Sequence, residues 1–593
     1  MSRIAGLALV AVLMVLVAAF PARAQVPDPP KTPVAEGTGG SAATVDPLAT
    51  KAAIRTLRSG GNAVDAAVAA AGVLGVVEPF SCGIGGGGFM VIYDTRHHKV
   101  DTIDSREAAP AGMTESSFLK PDGTPLDFTE ARVGGLSVGV PGTVRGWETA
   151  LHRYGTRSLK SLLRPGERIA RKGFTIDPTF SQQVKDNEPI FNDFPATKAL
   201  YLTPAGTAKP AGSVQTNPDL AATYKRIARN PDRFYSGRIG REITQTVQHP
   251  PLRSGSTRPV HPGTMTVRDL QRYRAKQLKP TRISYRGLDV FGMGPPSSGG
   301  STVGEALNIL EGFPRTEARA DKLHHYLEAS KLAYADRNEF VADPDFEAVP
   351  LRGLLSDPFA ASRRALIGAT ALQAPVAPGD PWKYNGGGSA QMTRSSGDEH
   401  GTSTTHMTIA DRWGNIVSYT FTIEQTGGSG IVVPGRGFLL NNELTDFNFA
   451  TGTKNSPAPG KRPRSSISPT IVFNHGKPVV ALGSPGGATI ITTVLQTLVN
   501  EIDFGQSLPD ALAAPRASQR NGTPATGATE KTEAEPAFIA RDGTALQAKG
   551  HVFTEVPEIG AATGIRFLHG GRQQSVAEPT RRGGGSAMVV RAG

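Results

Sequence analysis

The chain has a single cysteine, Cys82, so it cannot form a disulfide bond within itself. Its stability must therefore come from a packed core, and 593 residues are ample to build one. Cys82 does not follow the apolar N-terminal run, where a lipid-anchor cysteine would stand. We therefore expect it to be a small buried residue.

Beyond the N-terminus the sequence lacks any apolar stretch long enough to cross a membrane. Residues 1–24 combine Arg3, an apolar run at 4–20 and an Ala-Arg-Ala cleavage site, which are the three parts of a secretory signal peptide. We therefore expect a periplasmic or secreted protein that begins at Gln25. An uncleaved membrane anchor is the alternative, because the apolar run approaches spanning length.

Acidic residues are in deficit, since 64 Lys and Arg oppose 52 Asp and Glu and give a formal charge of +12. This excess bears on solubility and electrostatic steering rather than on the fold. Only short basic runs such as KRPR at 461–464 occur, and no recognition module accompanies them. We therefore expect no nucleic-acid partner.

Two motifs resemble cofactor sites, and neither has the required context. GIGGGG at 83–88 matches a dinucleotide fingerprint, but it follows a predicted helix and leads into a predicted strand at 89–93, the reverse of the nucleotide-binding order. His324 and His325 adjoin on a helix predicted at 321–340, about 100° apart, so they do not share a face as metal ligands at i and i+4 do. We expect neither an organic cofactor nor a metal.

The ordered part of the chain is predicted to start at Asp46. Residues 25–45 are rich in proline and glycine and are predicted to be a disordered leader. Asp46 is a helix N-cap followed by proline at the first helical position, and it predicts a helix at 48–57. Asn62 is predicted to cap the next helix.

Thr404 lies between a polar segment and a predicted β-hairpin. Residues 384–403 are polar and rich in Gly and Ser, which predicts a flexible, exposed segment. Residues 406–410 and 416–422 alternate like the strands of a hairpin. If the peptide bond before Thr404 is cut, Thr404 gains a free α-amine that can act as the base for its own hydroxyl. From the residues alone, however, a threonine at the start of a strand indicates only β-propensity.

The sequence around Thr404 resembles the signature of the γ-glutamyltransferase family. The matching positions are TTH at 404–406, TI at 408–409, GN at 414–415, VS at 417–418, Thr420 and TIE at 422–424. Gly427-Gly428 departs from the pattern, because the family usually has an aromatic residue followed by glycine there. Similar stretches recur at 47–94, 139–143, 293–300, 331–337 and 578–586, so the resemblance covers nearly the whole mature chain.

The resemblance implies an α+β fold, the four-layer αββα sandwich of the N-terminal-nucleophile hydrolases. It also implies one precursor that cuts itself between Ser403 and Thr404. The Thr404 hydroxyl would attack the Ser403 carbonyl, take over the acyl group, and let water hydrolyse the ester. The products would be a large subunit that is ordered over 46–403 and a small catalytic subunit, 404–593, which together form one domain.

The resemblance further assigns a role to each site residue. In the mature enzyme Thr404 is the nucleophile, Thr422 positions it, and Gly486 and Gly487, which open a helix predicted at 488–502, form the oxyanion hole. The substrate's α-carboxylate would be bound by Arg106, Ser465 and Ser466, and its α-amino group by Glu424, Glu443 and Asp446. The residues alone favour a surface ion pair for Arg106, a turn for the two serines and three separately solvated acids.

The implied activity is that of a glutathione hydrolase and γ-glutamyl acyltransferase. Its partners would be glutathione or another γ-glutamyl compound and an acceptor, either water or an amino acid or peptide. The connection at 447–460 is shorter than in lid-bearing members and predicts an open cleft, which favours hydrolysis or an oligomeric substrate. Two alternatives remain: an acylase or amidase of the same fold, acting on cephalosporin side chains or poly-γ-glutamate, and an inactive exported binding protein.

Overall fold

The computed structural model describes residues 30–386, 403–522 and 532–592. The strands are β1 Val34–Thr44, β2 Gly87–Asp94, β3 Lys99–Asp104, β4 Phe174–Thr175, β5 Val214–Gln215, β6 Lys276–Leu278, β7 Thr281–Tyr285, β8 Leu288–Gly292, β9 Thr405–Asp411, β10 Ile416–Thr422, β11 Thr470–Asn474, β12 Lys477–Gly483, β13 Ala517–Ser518, β14 Thr532–Ala534, β15 Phe553–Glu555, β16 Thr563–Phe567, β17 Gln573–Val576 and β18 Ser586–Ala592.

The helices are α1 Pro47–Arg58, α2 Ala63–Val77, α3 Phe128–Arg132, α4 Thr143–Tyr154, α5 Leu159–Lys172, α6 Pro178–Phe191, α7 Pro195–Tyr201, α8 Pro218–Ile227, α9 Asp232–Tyr235, α10 Gly237–Gln248, α11 Val267–Arg272, α12 Gly299–Glu311, α13 Arg319–Phe340, α14 Leu351–Leu354, α15 Asp357–Arg364, α16 Thr489–Ile502, α17 Leu508–Ala513, α18 Pro536–Phe538 and α19 Thr544–Gln547. Within the described ranges no helix is both long and apolar enough to span a bilayer.

One large antiparallel sheet organises the fold. Its strands run in the order β6-β3-β2-β10-β9-β1-β17-β16-β12-β11-β8-β7, and β18 also pairs with β1. Strands from both sides of residue 404 therefore share this sheet. The central hairpin pairs β9 with β10, so that Thr405 lies opposite Phe421. Both strands of the predicted hairpin are confirmed.

The two halves of this sheet face each other, as the alternating side chains reveal. Residues of β2 and β3 share one apolar cluster with residues of β11, β12 and β16, and the rings of Tyr93 and Phe473 meet there edge to face, 4.9 Å apart. The alternate side chains Met90 and Ile92 pack in the core around α2, and Val472 and Val480 pack against α12, α13 and α16. The layers are helix, sheet, sheet and helix, which confirms the predicted αββα sandwich.

The predicted disordered leader at 25–45 is wrong for most of its length, because β1 occupies residues 34–44 at the centre of the sheet. Its first half pairs with β17 and its second half with β9, with a register shift between Thr38 and Ser41 in its pairing with β18. Small residues permit this crowding: a Cβ on Gly37 would lie 1.9 Å from the carbonyl oxygen of Arg591. The glycines that suggested disorder serve close strand packing instead.

The local predictions that depend on capping are confirmed. The Asp46 side chain accepts a 2.7 Å hydrogen bond from the backbone of Leu48 at the start of α1, and Asn62 forms a capping box with Asp65 at the start of α2. Cys82 is buried, as expected. The predicted signal peptide and most of the predicted flexible segment, residues 387–402, lie outside the described residues.

Candidate active site

Strand pairing places Thr404 beside Thr422. Thr404 immediately precedes β9, and Thr422 ends β10, the strand that pairs with it. The Thr404 hydroxyl donates a 3.0 Å hydrogen bond to Oγ1 of Thr422. The same Thr422 oxygen accepts a 2.8 Å hydrogen bond from the backbone N–H of Glu424. These contacts fix the direction of the Thr404 hydroxyl.

The backbone of Thr404 is held in an unfavourable conformation. Its φ is +92°, in a region that residues with a β-carbon rarely adopt. Its carbonyl oxygen accepts a 2.6 Å hydrogen bond from Nη1 of Arg582. Arg582 is itself fixed by Oε1 of Glu78 at 2.9 Å and Oγ of Ser81 at 2.6 Å. Because strained backbone persists only where its surroundings impose it, Arg582 is one of the groups that impose it here.

The carbonyl group on the other side of this peptide bond is also bound. The backbone N–H of Gly486 donates a 3.3 Å hydrogen bond to the carbonyl oxygen of Ser403. Gly486 and Gly487 have φ values of +134° and +54°, and they lead into α16. The Ser403 hydroxyl donates to the carbonyl oxygen of Phe80 at 3.1 Å. The glycine pair therefore approaches the bond at which cleavage is predicted.

A pocket of about 280 Å³ brings most of the predicted site residues together. All except Gly486 and Ser403 line it, and these two adjoin it through Thr404 and Gly487. The lining residues are Arg106, Thr404, Thr422, Glu424, Glu443, Asp446, Ser465, Ser466, Ile467, Gly487 and Ile490. They come from distant parts of the chain, from the segment after β3 to the first turn of α16, so their proximity arises from the tertiary fold.

Arg106 is the cation of this pocket. Its buried guanidinium contacts the carboxylates of Glu443 and Asp446 and donates a 2.9 Å hydrogen bond to the carbonyl oxygen of Arg464. The interpretation from residues alone, a surface ion pair and separately solvated acids, is therefore wrong. The fold buries the cation and the acids together because each compensates the charge of the other.

The surroundings of Glu424 disfavour its negatively charged form. Burial raises its pKa well above the usual value, and Asp446 and Glu443 raise it further by repulsion. Its Oε2 binds the side-chain amide of Asn442, whereas Oε1 has no hydrogen-bond partner among the described residues. A positive ligand group would stabilise this cluster.

Ser465 and Ser466 also line the pocket. Ser466 Oγ accepts a 2.9 Å hydrogen bond from Nη2 of Arg337, and Nε of the same arginine donates to Ser298 Oγ at 2.8 Å. Ser465 Oγ accepts from the backbone N–H of Ile467 at 3.2 Å. Arg337 belongs to α13, so this helix orients the serine pair.

The short connection after Asp446 packs away from Thr404. Phe449 stacks on Phe118 with ring centroids 4.4 Å apart, and Phe447 is buried in the same cluster. Among the described residues, no aromatic side chain lines the pocket. The open cleft of the cut enzyme stays a prediction.

A second polar cluster joins α13 to the segment before β15. His324, Glu328 and His551 bring their ligand atoms within 4.8 Å of one another, a grouping that the sequence order does not reveal. The two histidines are hydrogen-bonded at 2.8 Å, Glu328 binds Lys331 at 2.7 Å, and burial lowers the pKa of His324 to about 4. We interpret the cluster as a hydrogen-bonded histidine pair beside an ion pair.

Comparison with known proteins shows that the chain is similar to glutathione hydrolase and acylase proenzymes. The model of the family described as gamma-glutamyltranspeptidase matches residues 49–588. The glutathione hydrolase proenzyme of Bacillus subtilis (strain 168) is 39% identical, over 98% of both chains. The Acylase ACY 1 proenzyme of Pseudomonas sp. (strain SE83) is 35% identical, over 90% of both chains.

A solved structure agrees over a similar extent. The cephalosporin acylase from Bacillus halodurans superposes with a TM-score of 0.80 at 28% identity, covering 97% of this chain and all of that one. The similarity therefore spans both parts of the chain on either side of Thr404.

Proposed function

Because the chain belongs to the gamma-glutamyltranspeptidase family, we propose that it is an exported precursor that cuts itself at Ser403–Thr404 and then uses Thr404 to break γ-glutamyl amide bonds. The observation that carries this proposal is how the peptide bond between Ser403 and Thr404 is held. The Gly486 N–H contacts the Ser403 carbonyl oxygen, and the Thr404 hydroxyl is oriented by Thr422. Relatives that are proenzymes support self-cleavage.

Self-cleavage follows from this arrangement. The Thr404 hydroxyl oxygen attacks the Ser403 carbonyl carbon, and the Gly486 N–H stabilises the negative charge that develops on the carbonyl oxygen. Collapse breaks the C–N bond, the nitrogen takes up a proton, and Ser403 becomes esterified to Thr404. Water then hydrolyses the ester, leaving a carboxylate on Ser403 and a free amine and hydroxyl on Thr404. Strain at Thr404 favours the reaction because cleavage releases it.

The mature enzyme repeats the same chemistry on a substrate. The α-amine of Thr404 accepts the proton of the Thr404 hydroxyl as the oxygen attacks the γ-amide carbonyl. The N–H groups of Gly486 and Gly487 stabilise the oxyanion, and one such donor lowers the barrier by roughly 3 kcal/mol. The amine then protonates the leaving group, and a γ-glutamyl ester remains on Thr404. Water, an amino acid or a peptide takes the γ-glutamyl group.

Charge in the pocket suits a zwitterionic α-amino acid. Arg106 contacts Glu443 and Asp446 directly, so an α-carboxylate can compete for its guanidinium while the α-ammonium takes its place beside the acids. Ser465 and Ser466 can donate further hydrogen bonds to the carboxylate. Glutathione and other γ-glutamyl compounds carry this group, and relatives that are glutathione hydrolases support them as substrates.

Acylase activity is the second candidate. The similarity to an Acylase ACY 1 proenzyme and to a cephalosporin acylase favours it, and a cleft without an aromatic lid would admit bulky leaving groups. The two activities differ in their need for an α-amino group. Glutaryl amides lack that group, so cleavage of glutaryl amides at the expense of γ-glutamyl amides would favour the acylase.

The decisive experiment is a denaturing mass spectrum of the purified wild type beside Thr404→Ala. We expect the wild type to give two chains, the smaller beginning at Thr404, and the variant to stay whole. Thr405→Ser is the matched control and should split normally. A folded wild type that remains one chain would contradict the proposal and favour an inactive binding protein. The N-terminal residue of the large chain, Gln25 or Met1, separates an exported protein from an anchored one.

A further inference from the structure

The loop that follows Glu424 contains the departure from the family signature. Gly427 and Gly428 have φ values of +88° and +57°. A Cβ on Gly427 would lie 3.0 Å from the ring of Phe191 and 3.1 Å from Oδ1 of Asn187, both on α6. A side chain at position 427 would therefore crowd α6 and would also strain the backbone, because its φ is positive.

Arg132, the last residue of α3, fixes this loop. Its Nε donates a 3.1 Å hydrogen bond to the carbonyl oxygen of Gly428, and its Nη2 donates a 2.6 Å hydrogen bond to that of Thr426. Nη2 also donates to Asn187 Oδ1 at 3.0 Å. The guanidinium thus bridges two carbonyl groups of the glycine loop and α6. Its fork geometry suits this task better than an ammonium group would.

Arg132 also brings a charge that no described carboxylate neutralises by direct contact. The acid that interacts with it most strongly is Glu424, and the nearby Arg258 is already paired with Asp193 at 2.7 Å. Burial and the charges of Asp446 and Glu443 raise the pKa of Glu424. The Asn442 amide and Arg132 lower it.

We propose that Arg132 is a positioning residue that makes the enzyme prefer substrates with a free α-amino group, by fixing the loop after Glu424 and by placing a second positive charge near that carboxylate. The inference rests on the proposed function, because it assigns Glu424 to the α-ammonium. The substrate class it selects is L-γ-glutamyl amides over glutaryl amides. The two substrates differ only in the α-amino group. Arg132 therefore affects how that group is bound and not how the shared amide bond is cleaved.

The test compares L-γ-glutamyl-p-nitroanilide with glutaryl-p-nitroanilide on the mature protein. In Arg132→Gln we expect kcat/KM to fall about tenfold for the γ-glutamyl substrate, mainly through KM, and less than about twofold for the glutaryl substrate. The acid limb of the γ-glutamyl profile should move to higher pH, because loss of the cation makes Glu424 harder to ionise. Arg132→Lys should retain part of the preference.

The controls separate this role from a merely structural one. Arg258→Gln removes a neighbouring arginine that is paired with Asp193 and should leave the preference unchanged. Asn187→Asp keeps Arg132 but gives it a carboxylate, and it should weaken the preference in the same direction even if Arg132→Gln does not fold. Equal loss on both substrates with an unmoved acid limb would overturn the proposal. A wild type that neither splits nor cleaves either substrate would instead overturn the proposed function.

Discussion

Arg582 and Thr404 are 178 positions apart, and a 2.6 Å hydrogen bond joins the Arg582 guanidinium to the Thr404 carbonyl oxygen. The Ser403 carbonyl oxygen is bound in turn by Gly486. The peptide bond between Ser403 and Thr404 is thus held from both sides by groups that belong to the C-terminal part of the chain. If these contacts promote the proposed self-cleavage, we expect the C-terminal part to fold before the bond is cut.

Arg582→Gln should slow self-cleavage by about tenfold to a hundredfold, because a hydrogen bond from a charged group stabilises by about 1.5–3 kcal/mol. A time course of precursor splitting on denaturing gels measures the rate. Arg572→Gln is the control, since Arg572 is an exposed arginine that pairs with Glu36. Equal rates in Arg582→Gln and wild type would show that the contact does not orient Thr404.

Thr422→Val keeps the shape of the side chain but removes the oxygen that orients the Thr404 hydroxyl. We expect both self-cleavage and hydrolysis of γ-glutamyl-p-nitroanilide to slow by about tenfold, a cost typical of one hydrogen bond. Thr422→Ser should restore most of both rates. If Val and Ser variants behave alike, the Thr422 hydroxyl is not the orienting group.

Arg106→Lys keeps the charge but loses the planar fork that meets two carboxylates. We expect kcat/KM to fall about a hundredfold for γ-glutamyl and glutaryl substrates alike, because both carry the carboxylate that Arg106 would bind. Steady-state kinetics on the two p-nitroanilides measures this. The equal loss would contrast with the selective loss expected for Arg132→Gln, and a selective loss in Arg106→Lys would contradict its assignment to the α-carboxylate.

His406 makes the fold sensitive to acid. It is fully buried in β9, hydrogen-bonded to Thr420 at 2.7 Å and Thr408 at 3.1 Å, and burial lowers its pKa from 6.5 to about 3. A depressed histidine pKa means that the unfolded chain binds the proton first, so stability is complete above pH 6.5 and declines as pH falls towards 3. The decline should approach about 1.4 kcal/mol per pH unit from this group.

Urea unfolding at several pH values tests this, in a Thr404→Ala background so that the chain stays whole. His406→Gln should flatten the acid decline, whatever its effect on absolute stability. His569→Gln, at an exposed position, should leave the slope unchanged. An identical slope in His406→Gln and its parent would mean that other groups cause the acid sensitivity.

Gly37→Ala should lower the free energy of unfolding by about 1–3 kcal/mol, the usual cost of overpacking. The new Cβ would lie 1.9 Å from the Arg591 carbonyl oxygen, so β1 and β18 would have to separate. The urea midpoint of the same uncut background measures the loss. Gly368→Ala is the control, because no neighbouring atom of the described residues lies within 4 Å of its added Cβ. Similar midpoints would show that the strand pair can shift without cost.

Local signals in the sequence predicted the elements that depend on neighbouring residues. The N-caps Asp46 and Asn62 marked two helices, and alternation marked β9 and β10. β1 was missed because its glycines, and the prolines just before it, are typical of a linker, whereas the strands that pair with it lie more than 300 residues away. The composition of a segment does not indicate which distant strands will pair with it.

The resemblance, rather than residue chemistry, named most of the residues that the structure brings together in the pocket, and their roles stay predictions. Nothing local to Arg106 or Glu443 indicates that they meet, since 337 positions separate them. Arg582 and Arg132 were missed because they act through backbone carbonyl groups, and such contacts impose no sequence pattern. The departure at Gly427-Gly428 was the available signal for Arg132.

Cutting at Ser403–Thr404 would leave two chains that share one sheet. Along the sheet, β6, β3 and β2 come from the large chain, β10 and β9 from the small one, β1 from the large, β17, β16, β12 and β11 from the small, and β8 and β7 from the large. Strands of the two chains therefore alternate along the sheet. Separating the chains would break the hydrogen bonds between every two neighbouring strands that belong to different chains. Refolding from separated chains would be a second-order reaction between fragments that each lack neighbouring strands. If the chain is cut there, we expect the folded molecule to form far more readily from the uncut chain than from its separated products.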